Sequence, residues 1–113
     1  MFIAGVAYAP TPEALMRSRY TAYTKANIDY IIATMKSPAS DGFDPKSARV
    51  WARSVVWLRL EVLHAELLSP TTGTVEFSAH FFSKNKKQAI HEISTFALEE
   101  GRWYYVSGVQ PTK

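Results

Sequence analysis

Cysteine is absent from this chain, so neither a disulfide nor a thiolate metal site can form. That absence suits a reducing compartment, and the cytoplasm is the expected location. No run approaches the roughly 20 apolar residues that a bilayer-crossing helix needs. The opening Met1-Phe2-Ile3-Ala4-Gly5-Val6 has neither the basic flank nor the apolar length of a secretory leader. A soluble protein with no membrane partner is therefore expected. Charge of one sign is also scarce, with 13 Lys and Arg against 10 Asp and Glu. The basic residues are scattered except at Lys84, Lys86 and Lys87, whereas nucleic-acid binders gather them in a stripe. Nucleic acid is not the expected partner, and these lysines read as a solvated hairpin tip.

Chemistry-bearing motifs are missing too. There is no glycine-rich phosphate loop, nucleophile–base pair or paired-acid constellation. His64, His80 and His91 lack the spacing of metal ligands, although His80 and His91 are expected to face each other across a hairpin. No metal or cofactor is expected, and catalysis is left open.

What is present is core material: 47% of the 113 residues are hydrophobic and 13% aromatic. That suffices for one domain spanning 1–113. Thr11-Pro12-Glu13 supplies a cap, a first-turn proline and a first-turn acid, which predicts a helix running to about Ala26. Asn27 caps a second helix with Ile28, Ile31, Ile32 and Met35 at helical spacing, ended by Ser37-Pro38. Asp44-Pro45 opens a third, with Ala48, Trp51, Ala52 and Val55 on one face.

From Val56 the apolar period becomes two. Strands are predicted at 56–67, 74–83, 88–99 and 102–107, with tight turns at Asn85-Lys86 and Glu100-Gly101. Helices followed by an antiparallel meander give an α+β fold with the helices on one face of the sheet. The turn at Asn85-Lys86 sets Phe81 opposite Ile90, Ala79 opposite Glu92, and Phe77 opposite Ser94. The turn at Glu100-Gly101 pairs Leu98 with Trp103 and Phe96 with Tyr105. Leu58, Leu60 and Val62 join this inner face. Trp57 and Tyr104 fall outside, either packed under a chain terminus or loop or as candidate anchors for a protein contact or a homodimer.

Ala9 to Tyr23 (APTPEALMRSRYTAY) resembles the signature of the YchJ-like bacterial family. Trp51-Ala52-Arg53, Trp57-Leu58, Gly73-Thr74-Val75-Glu76-Phe77, His91-Glu92 and Gly101-Arg102-Trp103-Tyr104-Tyr105-Val106 are similar to its later motifs, in the same order. The resemblance implies a nuclear transport factor two-like (cystatin-like) cone, with three N-terminal helices packed on a curved antiparallel sheet. It also implies association with SEC-C zinc knuckles and no assigned function. This chain has no cysteine and begins where an N-terminal knuckle would end, so either the knuckle was trimmed or this member does without it, and the family's zinc is not expected here.

Arg19 is the residue most suggestive of a site. At ~100° per residue it falls in the middle of the stripe of Leu15, Met16, Ala22, Tyr23 and Ala26. A guanidinium there must be paired or wet, because an isolated buried charge costs several kcal/mol. Glu92, on the inner face of the sheet, is the expected ion-pair partner. Arg19, Glu92, Tyr20, Tyr23 and Ser94 are the candidate pocket residues. Two functions follow. One is a non-catalytic binding or adaptor module, serving an unidentified protein or small-molecule ligand. The other is a small-molecule-binding or enzymatic domain using the cone pocket, as in ketosteroid isomerase-like relatives of the fold. A sealed ion pair would favour the first, and an open apolar cavity the second.

Overall fold

The structure, a computed structural model, describes residues 9–111. Within them run three helices, α1 (Pro12–Thr24), α2 (Ile28–Ala33) and α3 (Pro45–Ser54). Four strands follow, β1 (Val56–Ser69), β2 (Thr72–Ser83), β3 (Lys86–Glu99) and β4 (Arg102–Val109). The strands form one antiparallel sheet in the order β1-β2-β3-β4. The expected order of elements is met among these residues; the reading of Met1 to Val6 lies outside them.

The helix caps are those the sequence announces. The Thr11 hydroxyl accepts from the Ala14 N–H at 3.1 Å, and Asp44 accepts from the N–H groups of Lys46 and Ser47. At the end of α1 the N–H of Ala26 donates to Tyr23 O and that of Asn27 to Ala22 O. This is a Schellman closure with Ala26, at φ 52°, in the left-handed position usually held by glycine. Asn27 also caps α2, accepting from the Tyr30 N–H. The two helices therefore meet at a tight corner.

α2 is shorter than its apolar spacing predicts. Met35 leaves the helix to bridge Tyr105, and Ile32 is exposed. The Ile31 carbonyl, which a longer helix would give to the Met35 N–H, accepts instead from Arg19 Nη1 at 2.9 Å.

The sheet registers correct the expected ones in two places. The β2–β3 turn is Lys84-Asn85, both at positive φ, and Ser83 pairs with Lys86. Asn85 takes a left-handed turn position that its short amide tolerates. Every pairing thereby slips two residues: Ala79 faces Ile90, Phe77 faces Glu92 and Val75 faces Ser94. A slip of two keeps all side chains on their faces, so alternation alone cannot detect it. His80 and His91 consequently stand opposite Ala89 and Ser78, not each other.

The second correction is Trp57. β1 is bulged between Trp57 and Arg59, between Val62 and His64, and between Leu67 and Ser69. The extra residue at Leu58 puts Trp57 opposite the buried Phe81, on the inner face, and leaves Leu58 exposed. Trp57 is thus not an anchor on the outer face. Tyr104 does lie outside, opposite Ala97, with the Lys36 ammonium 4.5 Å above its ring.

The core is layered between helix and sheet. Leu15 and Met16 of α1 pack on Val75, Phe77, Phe96 and Trp103. A second cluster joins Ala22, Ile28, Ile31 and Met35. Gly73 lets α1 approach, since a Cβ there would meet Pro12 Cγ at 2.7 Å.

Candidate functional site

Arg19 is 5% exposed, and its helical phase is as expected. Its partner is not. Nη1 donates to Ile31 O at 2.9 Å and Thr34 Oγ1 at 2.7 Å, closing the C-terminal end of α2, where carbonyls lack helical donors. The guanidinium carbon lies 4.7 Å from the centroid of the Tyr105 ring. Among the described residues no ion pair joins Arg19 to Glu92. The direct pair expected from sequence is therefore replaced by an indirect one through Tyr105.

Glu92 Oε2 accepts from the Tyr105 hydroxyl at 2.9 Å and from Ser94 Oγ at 2.7 Å. Ser94 is buried, on the strand that carries Glu92. The carboxylate rests against β4 at Gly108, where a Cβ would run into it and into the Tyr105 hydroxyl. A cation over a ring face, a phenol donating to a carboxylate and a serine donating to the same oxygen form one chain of charge-assisted contacts. Burial pushes the Tyr105 hydroxyl above its ordinary range, and the Glu92 carboxylate pushes it further the same way. Burial raises Tyr23 and Tyr20 as well. Arg19 is lowered by burial, opposed by the surrounding tyrosines and Glu92.

Above this polar floor is a cavity of about 170 Å³. Tyr20 and Tyr23 of α1, Trp51 of α3 and Trp57 of β1 form its aromatic end. Phe77, Ala79 and Ile90 line it from the sheet, and Arg19, Glu92, Ser94 and Tyr105 are its polar end. The aromatic rings hold one another edge-on: Trp51 and Trp57 at 5.2 Å, Tyr20 and Trp57 at 5.6 Å. Trp57 Nε1 donates to Ala52 O at 3.2 Å, fixing the indole to the end of α3. A second, shallower hollow of about 420 Å³ shares Arg19, Tyr23 and Tyr105 and opens toward Pro38, Ala39 and Phe43.

The structure thus brings together all five pocket residues named from sequence, and adds Trp57, which was expected outside. Tyr105 already had an inner-face position in the sequence reading, and Trp51 shared a helix face with Ala48, Ala52 and Val55, but nothing there joined them to Arg19. Gly108 had no sequence signal at all.

The comparisons with known proteins agree with one another. Residues 11–108 match the family described as YchJ, middle NTF2-like domain. A UPF0225 protein of Haemophilus influenzae strain PittEE is 43% identical over 100 residues, covering 88% of this chain and 62% of that protein. The chain therefore spans less than two thirds of that relative's length. A SEC-C motif containing protein from Rhodopseudomonas palustris has a solved structure with a TM-score of 0.89 and 38% identity. The similarity covers 98% of this chain and 87% of that one. A ketosteroid isomerase-like protein from Erwinia carotovora atroseptica shares the fold alone, with a TM-score of 0.61 and 17% identity over 91% of this chain and 97% of that one.

Proposed function

The chain belongs to the YchJ family, as its middle NTF2-like domain, and from that premise we propose that it is a binding domain for a small single-ring molecule. The observation that carries this reading is the cavity of about 170 Å³ between aromatic walls and the Arg19–Tyr105–Glu92 floor. An apolar hollow with a few convergent polar groups is the usual form of a ligand site. Its volume is near the ~150 Å³ of an engineered cavity that holds one benzene. The walls favour a flat aromatic or heteroaromatic ring, by stacking and edge contacts. The floor carries one cation and one carboxylate, so it suits a neutral polar edge with both a donor and an acceptor better than a lone charge. The adaptor reading called for a sealed Arg19–Glu92 contact, and the open space between aromatic walls weighs toward the ligand instead.

Trp51 and Trp57 on the wall provide a direct readout. Titration with benzamide, which has one ring and an amide edge, is expected to change tryptophan emission saturably and raise Tm. Ala79→Leu, filling the sheet side of the cavity, is expected to abolish both effects while leaving the far-ultraviolet dichroism unchanged. Benzoate and benzylamine are expected to bind more weakly. If benzamide, benzoate and benzylamine all leave emission and Tm unchanged, the single-ring reading is wrong.

A further inference from the structure

The two edges of the sheet are finished differently. The β4 edge is covered by the segment after α2: Tyr105 N–H donates to Thr34 O, Lys36 N–H to Tyr105 O, and Ala39 N–H to Val106 O, at 2.9, 3.0 and 2.9 Å. The β1 edge is 14 residues long, and no strand among the described residues pairs with its outer side. Natural edges are blunted by lysine, proline, charged side chains, bulges or a cover. Bulges at Leu58, Leu63 and Leu68 leave 59–62 and 64–67 as the regular segments of β1. β1 contains neither lysine nor proline, and Leu58, Leu63, Leu67 and Leu68 are 44%, 50%, 61% and 58% exposed. A long unpaired edge strand with exposed apolar side chains marks a contact surface or an aggregation hazard.

The charges on β1 select the occupant. The pairings with β2 place Arg59, Glu61, His64 and Glu66 on the outer face and Leu60 and Ala65 on the inner face. A second β1 laid antiparallel alongside, with its twofold axis between Val62 and Leu63, sets Arg59 against Glu66 and Glu61 against His64. It also sets Leu60 against Ala65, and each of these pairs shares a face, as an antiparallel ladder requires. A slip of one residue mixes the faces. A slip of two sets Glu61 against Glu66 in one direction and, in the other, the outward Glu61 against the inward Val62. Like charges directly opposite are unfavourable, so one register is selected.

We propose that the free edge of β1 is the docking surface for a second copy of this chain, in this register, so that two four-stranded sheets run on into one. In this register Leu58 stands against Leu67, and Leu63, the bulged residue, stands against Val62 beside the axis. The proposal does not depend on the cavity ligand.

Sedimentation equilibrium from low micromolar to submillimolar concentration, with amide exchange on the same samples, tests it. A dimer is expected, with protection at β1 that grows with concentration. Leu63→Lys and Arg59→Glu are each expected to weaken dimerisation about tenfold or more. Arg59→Glu combined with Glu66→Arg is expected to restore it, because the exchange rebuilds the same complementary pair. All of these side chains are exposed, and far-ultraviolet dichroism checks that each variant folds. A monomer at every concentration overturns the proposal. So does a dimer indifferent to Leu63→Lys, a dimer broken by Tyr104→Ala instead, open-ended growth, or failure of the double exchange to restore association.

Discussion

Tyr105 holds three roles at once. Its ring faces Arg19, its hydroxyl donates to Glu92, and its backbone pairs with the chain leaving α2. Tyr105→Phe keeps the ring and the backbone and removes only the donor, leaving Glu92 with Ser94. The expected loss is about 1–2 kcal/mol, the cost of leaving a half-buried carboxylate short of one charge-assisted bond, read from urea midpoints. Gly108→Ala attacks the same group from the opposite side. Its methyl needs the space that the Glu92 carboxylate and the Tyr105 hydroxyl occupy, so both must move. A loss of about 1–3 kcal/mol is expected, in line with overpacking elsewhere, with changed emission from the cavity tryptophans.

At the scale of the element, the corner between α1 and α2 determines where Arg19 and its receiving carbonyl meet. Ala26 holds the left-handed position of the Schellman closure at φ 52°, where a Cβ crowds the following carbonyl. Ala26→Gly relieves that crowding, and the more flexible unfolded chain offsets part of the gain. A net stabilisation of about 0.5–1 kcal/mol is expected in chemical denaturation, without change in the cavity. The β2–β3 turn illustrates the opposite lesson. Alternation along β2 assigned every side chain to its correct face, yet the turn lies one position earlier than expected. Two residues of slip were invisible because the side-chain period is two. On β1 the bulge at Leu58 inverted the phase of Trp57, and no residue in Val56-Trp57-Leu58-Arg59 announces a bulge.

For the whole molecule, the buried phenols make stability fall in alkali. Tyr105 and Tyr23 titrate above the ordinary 10.0 in the folded chain, because burial disfavours the phenolate. Above pH 10 the unfolded chain releases protons that the folded chain still holds. The stabilisation is therefore complete below that pH and is lost as pH rises beyond it. Urea midpoints at pH 7, 8.5 and 11 are expected to be level over the first interval and to drop over the second. Tyrosinate absorbance of the folded protein should show a fraction of phenols lagging behind, smaller in Tyr105→Phe. Equal titration of all tyrosines would contradict their burial. The sequence by itself determined the caps, the change of period at Val56, the faces of most strands and the family, because each is written in spacing only a few residues long. It also put Arg19 inside, since helical phase needs nothing but its own turn. Only the tertiary structure decided what Arg19 touches, which face Trp57 takes and that an aromatic cavity lies between them. These depend on bulges, on a turn's position and on a glycine beside a carboxylate, whose effects appear only when distant segments are packed together.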